Sequence, residues 1–208
     1  MLRMPPRAGS RAPCLPLAVL LLLPAPPGAA PAGAQEATPD DPVAAAVVAL
    51  PPELRDGATV LGSGGEPRPG DVLTTLRGGT NDLVCLADDP AVEGFRVACY
   101  HRDLDPYMAL GRRLRAGGAD RQAVLEGRFA ALEAGDLAMP RVSALYVFTA
   151  DGVPDPTRPD EAPGARRRTV VYVPGATLEE TGLPGRPAGD GPWLMLPGTP
   201  WAHIMIDG

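Results

Sequence analysis

The chain has 208 residues, of which 27 are proline and 25 glycine, a composition that divides it into short elements and many turns. Its 25 acidic residues outnumber 19 basic ones, and an acidic surface repels phosphate backbones, which argues against a nucleic-acid partner. Every basic residue is arginine, so Schiff-base chemistry, a pyridoxal phosphate anchor and a phosphate-loop lysine are all closed to it.

Arg3, Arg7 and Arg11, with no acid among them, precede an apolar run from Leu15 to Leu23 and the small residues Ala32-Gly33-Ala34. This is the pattern of an export signal over residues 1–34, with Gln35 as the new N-terminus. The run falls far short of the roughly 20 residues a membrane-spanning helix needs. Cys14 lies before the run and leaves with the signal. No later segment is long and apolar enough to span a bilayer, so the mature chain is expected in the periplasm or outside the cell. Removing three of the 19 arginines leaves 16 against 25 acidic residues, a net charge of −9.

Residues 35–57 read as a polar leader followed by a short apolar helix, VAAAVVAL, capped by Asp41, entered through Pro42 and stopped by Pro51-Pro52. Residues 58–208 then form a single expected domain. Residues 58–61 are a strand candidate, ended by a glycine run (Gly62-Ser63-Gly64-Gly65) that lacks the lysine and helix of a phosphate cradle and reads as a surface turn. Residues 71–76 and 83–86 are two apolar stretches joined by a glycine-containing loop, which predicts a hairpin. Residues 95–100 alternate, placing Phe95, Val97 and Cys99 on one face.

A helix follows to about Arg115, with Asp103 or Asp105 as cap, Pro106 in its first turn and Gly117-Gly118 at its end. Tyr107, Leu110 and Leu114 recur at helical spacing, while Arg112, Arg113 and Arg115 lie toward the other faces and the C-terminal end, where cations favour the helix dipole. A second helix is expected from Asp120 to Ala134, with Val124, Phe129 and Leu132 on one stripe, Leu125 near its edge, and Glu126 and Arg128 as polar positions. The short turn between them makes the two antiparallel neighbours. Residues 142–149 and 169–173 are clear strands, separated by a loop in which Arg166-Arg167-Arg168 reads as a solvated turn. Residues 176–181 give at most two helical turns. The apolar tail carries Trp193, Met195, Trp201 and Met205 and should dock on the core, with residues 203–206 as a last strand.

Two cysteines, Cys85 and Cys99, survive signal removal, and an even count in an exported chain predicts a disulfide. No CxxC spacing exists for a redox pair, and the cysteine and histidine positions do not resemble a zinc ligand set. His101-Arg102-Asp103-Leu104 matches the opening of a kinase catalytic loop, but Met108 stands where the metal-binding asparagine belongs, so the match is chance. Ser63 and Ser143 are the mature serines, and neither sits in a nucleophile elbow. The paired acids Asp88-Asp89 and Glu179-Glu180 suit turns and caps better than glycoside hydrolysis.

One constellation remains. His101, Asp103 and Asp105 stand at a strand-to-helix junction, and His203 lies in the tail. Converging, they could bind a divalent metal or act as general acid and base. His203, Met205 and Met195 form a softer set suited to copper. The competing structural expectation is that His101 helps cap a helix and His203 packs beside Trp201.

The segments FRVACYHRDLDPYMALGRRLRAGG and GPWLMLPGTPWAHIMI resemble those of exported bacterial proteins that carry no assigned activity. The resemblance spans most of residues 70–208 and implies an exported single-domain protein, with no reaction, ligand or cofactor attached. The expected architecture is α+β: a mainly antiparallel sheet of five to seven strands against two central helices. The expected function is non-catalytic binding of a protein or small molecule. The alternative is an exported hydrolase or metal-dependent enzyme using His101, Asp103, Asp105 and His203.

Overall fold

A computed structural model describes residues 41–64, 68 and 70–208. The expected export signal, most of the polar leader and Gly65 of the glycine run lie outside the described residues. Among the described residues, no helix is long and apolar enough to cross a membrane.

The chain begins with α1 (Pro42–Ala46), a 3-10 turn (Val47–Ala49) and α2 (Pro52–Arg55), and then enters β1 (Thr59–Gly62), β2 (Thr74–Arg77), β3 (Leu83–Leu86) and β4 (Phe95–His101). Two longer helices follow, α3 (Asp105–Ala116) and α4 (Arg121–Glu133). The remainder is β5 (Ser143–Ala150), β6 (Arg166–Tyr172), α5 (Leu178–Thr181), β7 (Trp193–Met195) and β8 (His203–Asp207). The strands form one sheet in the order β2-β1-β3-β4-β5-β6-β8-β7, antiparallel except for the parallel β1–β3 pair. The mainly antiparallel sheet was expected. It has eight strands rather than five to seven, and three short helices accompany the two long ones.

The predicted hairpin between residues 71–76 and 83–86 does not form, because β1 inserts between β2 and β3. Val60 and Leu61 are fully buried on opposite faces, as a strand with neighbours on both sides requires. The connecting loop instead crosses the end of β1: Thr80 and Asn81 donate their amides to the Gly57 carbonyl at 2.8 and 2.9 Å. A side chain on Gly79 would press on the backbone of Gly57, Ala58 and Thr59, so glycine serves close approach here rather than a tight turn.

Each face of the sheet carries its own core. On one face, residues 45–50 pack against Val60, Cys85, Phe95, Val97, Cys99 and Phe148. Val48 and Leu50 are fully buried there, each worth about 1.5–3 kcal/mol of apolar burial. Arg167 donates to the Val48 carbonyl at 2.9 Å and Arg55 to that of Leu50 at 3.0 Å, tying down the end of the segment. Arg167 and its neighbours belong to β6, not to a solvated turn, and the Arg167 guanidinium also lies 5.1 Å from the Phe148 ring centre.

The other face, with Val84, Tyr100, Leu145, Val170, Tyr172 and Met205, is covered by Leu104 and Tyr107 and by Phe129 and Leu132 of α4. Asp120 caps α4 as expected, accepting from the Ala123 amide at 2.8 Å, and the following Gly135 has φ +77. Trp201 docks the tail by stacking on Phe129, with ring centres 4.5 Å apart. The disulfide joins Cys85 and Cys99 at directly paired positions of β3 and β4, with Cα atoms 4.0 Å apart.

Candidate functional site

The strand-to-helix junction after β4 positions the first group of candidates. His101 ends the strand, and its Nδ1 accepts from the Asp103 amide at 3.3 Å, capping a 3-10 turn (Arg102–Leu104) that leads into α3. Asp103 lies 3.4 Å from the same nitrogen and is exposed. Neither aspartate caps α3; Asp105 is its first residue and turns inward.

What Asp105 meets there was not foreseen. Its carboxylate accepts from Tyr100 Oη at 2.7 Å, Arg112 Nη2 at 3.0 Å and Arg68 Nη2 at 2.6 Å. Arg112, placed off the apolar stripe by helical periodicity, is nevertheless only 8% exposed and forms a forked pair with Asp71, whose side chain is 1% exposed. Its third nitrogen donates to Tyr100 Oη at 2.8 Å. Two arginines and two aspartates therefore cancel in charge around one phenol.

Such a cluster is tolerable inside a protein because each charge has both a counter-charge and hydrogen bonds. Burial pushes Asp71 and Asp105 upward, but the arginine bonds outweigh it and hold both below the usual carboxylate range. Burial raises the Tyr100 hydroxyl well above its ordinary value, so it stays a proton donor. Burial alone would lower Arg112; its bonds to Asp71, Asp105 and Tyr100 raise it instead.

Beside this cluster lies an open cleft of about 460 Å³. Ala109, Leu110, Ala131 and Leu137 give it an apolar floor, and Arg68, Arg113, Asp105 and Asp136 are its charged groups. Its size is within the range of small-molecule sites. Arg113 also donates to the Gly70 carbonyl, joining the cleft's two walls.

His203 is elsewhere. Two strands, β5 and β6, separate β8 from β4, three steps of about 4.8 Å or roughly 14 Å. The faces differ as well. His101 alternates with Tyr100 and shares the Cys99 face, whereas the His203 ring lies 5.2 Å from that of Tyr172 on the α3–α4 face. The condition for a shared His101–His203 centre, adjacent strands, is not met. Among the described residues, no three His, Cys, Asp or Glu side chains gather as a metal site would require.

His203 Nδ1 donates to the Trp201 carbonyl at 2.6 Å, and burial pulls its pKa below the ordinary value despite that bond, which favours the neutral ring. Met195 is paired with His203 across β7 and β8, and Met205 follows two residues later, so the softer trio does share one face. Met205 is buried in the core there. The paired acids serve locally: Asp88 accepts from the Arg96 amide at 2.8 Å, and Glu180 closes a capping box with Thr177.

The cluster was legible only in fragments. Tyr100, Asp105 and Arg112 stand at a spacing that could bring them together, but Asp71 lies 41 residues before Arg112 and no local pattern marks it. No family model, curated protein or solved structure matches the chain.

Proposed function

We propose that this is an exported, non-catalytic binding domain whose ligand occupies the cleft beside the Asp105 cluster. The supporting observation is that the cleft's inner wall is fixed by buried, charge-compensated bonds, so its shape exists before any ligand arrives. Two of the groups that could have done acid–base work have structural roles. Asp105 is bonded by three donors, and His101 caps a turn. The apolar floor supplies contact area, while Arg68, Arg113 and Asp136 supply orientation.

The test is an amide-resolved NMR screen of small molecules and short peptides. Binders should shift Ala109, Leu110, Ala131 and Leu137 together, and Ala131→Phe, which fills the floor, should abolish those shifts while the fold is kept. Shifts confined to another surface, or turnover of a screened compound, would overturn the reading.

A further inference from the structure

The sheet ends in β8 and the edge strand β7, and their pairing sets four side chains in a block. Met195 stands opposite His203 and Trp193 opposite Met205, while His203 and Met205 are two residues apart on β8. Residues two apart on a strand share a face, and directly opposed residues hold their Cβ atoms about 4.5–5.5 Å apart. The contacts agree with the register. Trp193 and Met195 pack against the cluster that contains Met205 and Tyr172, and the His203 ring lies 5.2 Å from that of Tyr172. Met205 is buried, whereas Trp193, Met195 and His203 are half-buried at the end of the sheet, where an ion reaches them from solvent without crossing the core.

His203 already has the orientation of a ligand. Its Nδ1 lies 2.6 Å from the Trp201 carbonyl, which can only accept, so in the neutral ring the proton sits on Nδ1 and the lone pair on Nε2. A backbone carbonyl that fixes one ring nitrogen and leaves the other for a metal recurs in metal sites. Among the described residues Nε2 has no hydrogen-bond partner. Methionine has three rotatable bonds and a polarisable sulfur, so the two thioethers can close on an ion held at Nε2. The Trp193 ring, in the fourth corner of the block, offers a cation its electron-rich face.

The donors choose the ion. Among the described residues no cluster of histidine, cysteine, aspartate or glutamate is present, so hard divalent cations and zinc lack the oxygens or thiolates they favour. Thioethers beside an imidazole suit copper(I). These ligands carry no charge, and one positive charge costs less to bring out of water than two.

We propose that Met195, His203 and Met205 bind one copper(I) ion through two thioether sulfurs and Nε2, with the Trp193 ring beside it. The ion arrives and leaves as copper(I), and nothing is oxidised or reduced. The site shares no residue with the cleft proposed above and does not rest on it.

The test uses the full chain carrying Cys14→Ser, because Cys85 and Cys99 are joined and Cys14 is then the one thiol that would compete. Its probes are silver(I), a redox-inert ion of the same charge and softness, and copper(I) held by bicinchoninate under ascorbate without air. With methyl-labelled methionine, one equivalent of silver(I) should shift the Met195 and Met205 methyl signals and leave those of Met108 and Met139 in place. Copper(I) should pass from bicinchoninate to the protein one to one, and zinc(II) should move no methyl signal. Met195→Leu and Met205→Leu nearly keep side-chain volume and remove one sulfur each. Each should weaken copper(I) binding by at least about tenfold, the range in which metal sites respond even to a lost orienting partner. His203→Phe, which keeps a ring against Tyr172, should abolish the transfer. Should Met205→Leu disturb the core, the wild-type methyl shifts and the half-buried Met195→Leu variant decide the matter. Copper(I) remaining on bicinchoninate, silver(I) shifts confined to other methionines, an equal response to zinc(II), or unchanged affinity in Met195→Leu would overturn the proposal.

Discussion

Replacing Asp71 by asparagine should destabilise the protein by about 3 kcal/mol, the lower end of the range for breaking a buried ion pair. The geometry sets that position. The Asp71 side chain is 1% exposed and that of Arg112 8%, so the abandoned guanidinium cannot turn to water. Asp105 and Tyr100 still accept from it, which keeps the loss from reaching the upper end. Against a total stability of about 5–15 kcal/mol, and with a urea slope of about 2 kcal/mol/M, the midpoint should fall by about 1.5 M. The assay is urea unfolding followed by circular dichroism, with Asp71→Leu, Arg112→Met and their combination completing a cycle. The double variant should be much less unstable than the sum of the singles, because removing both charges leaves no buried ion unpaired. A loss below about 1 kcal/mol for Asp71→Asn, or additive single effects, would refute the account of the cluster as a buried, mutually compensated unit.

Acid should loosen the same cluster. Asp71 and Asp105 titrate below their ordinary value of 3.8, so their contribution is complete above that pH and is lost as pH falls through the lowered values. Unfolding free energy measured between pH 5 and 2 should therefore drop more steeply in the wild type than in the Asp71→Leu/Arg112→Met double variant; parallel curves would contradict it. Replacing Cys85 and Cys99 by alanine should cost about 3 kcal/mol by the loop-entropy argument for about 15 residues, read from denaturant midpoints. Gly79→Ala should cost about 1–3 kcal/mol, since its new methyl meets the backbone of Gly57 to Thr59 rather than a movable side chain. Gly78→Ala, with open space at its Cβ position, is the control and should cost far less.

Within single elements, the sequence was a good guide. Asp41 and Asp120 cap the helices they precede, and Gly117 terminates α3, because caps and stops are settled by side chains within a turn of the backbone they satisfy. The alternation of Phe95, Val97 and Cys99 placed them on one buried face, and parity with export context paired the cysteines. What only the tertiary structure decided is which neighbour each face receives. Periodicity orients a strand but does not order a sheet, so β1 between β2 and β3, and His101 and His203 on opposite faces, lay beyond it. Arg112 and Arg128 show the same limit: arginine is charged wherever it stands, and the partners that make its burial tolerable come from other elements. Asp71 reaches Arg112 from a loop far upstream, and the notch at Gly111 admits Arg128 from the next helix. Side chains set the local ends and faces; long-range compensation of buried charge settled the rest.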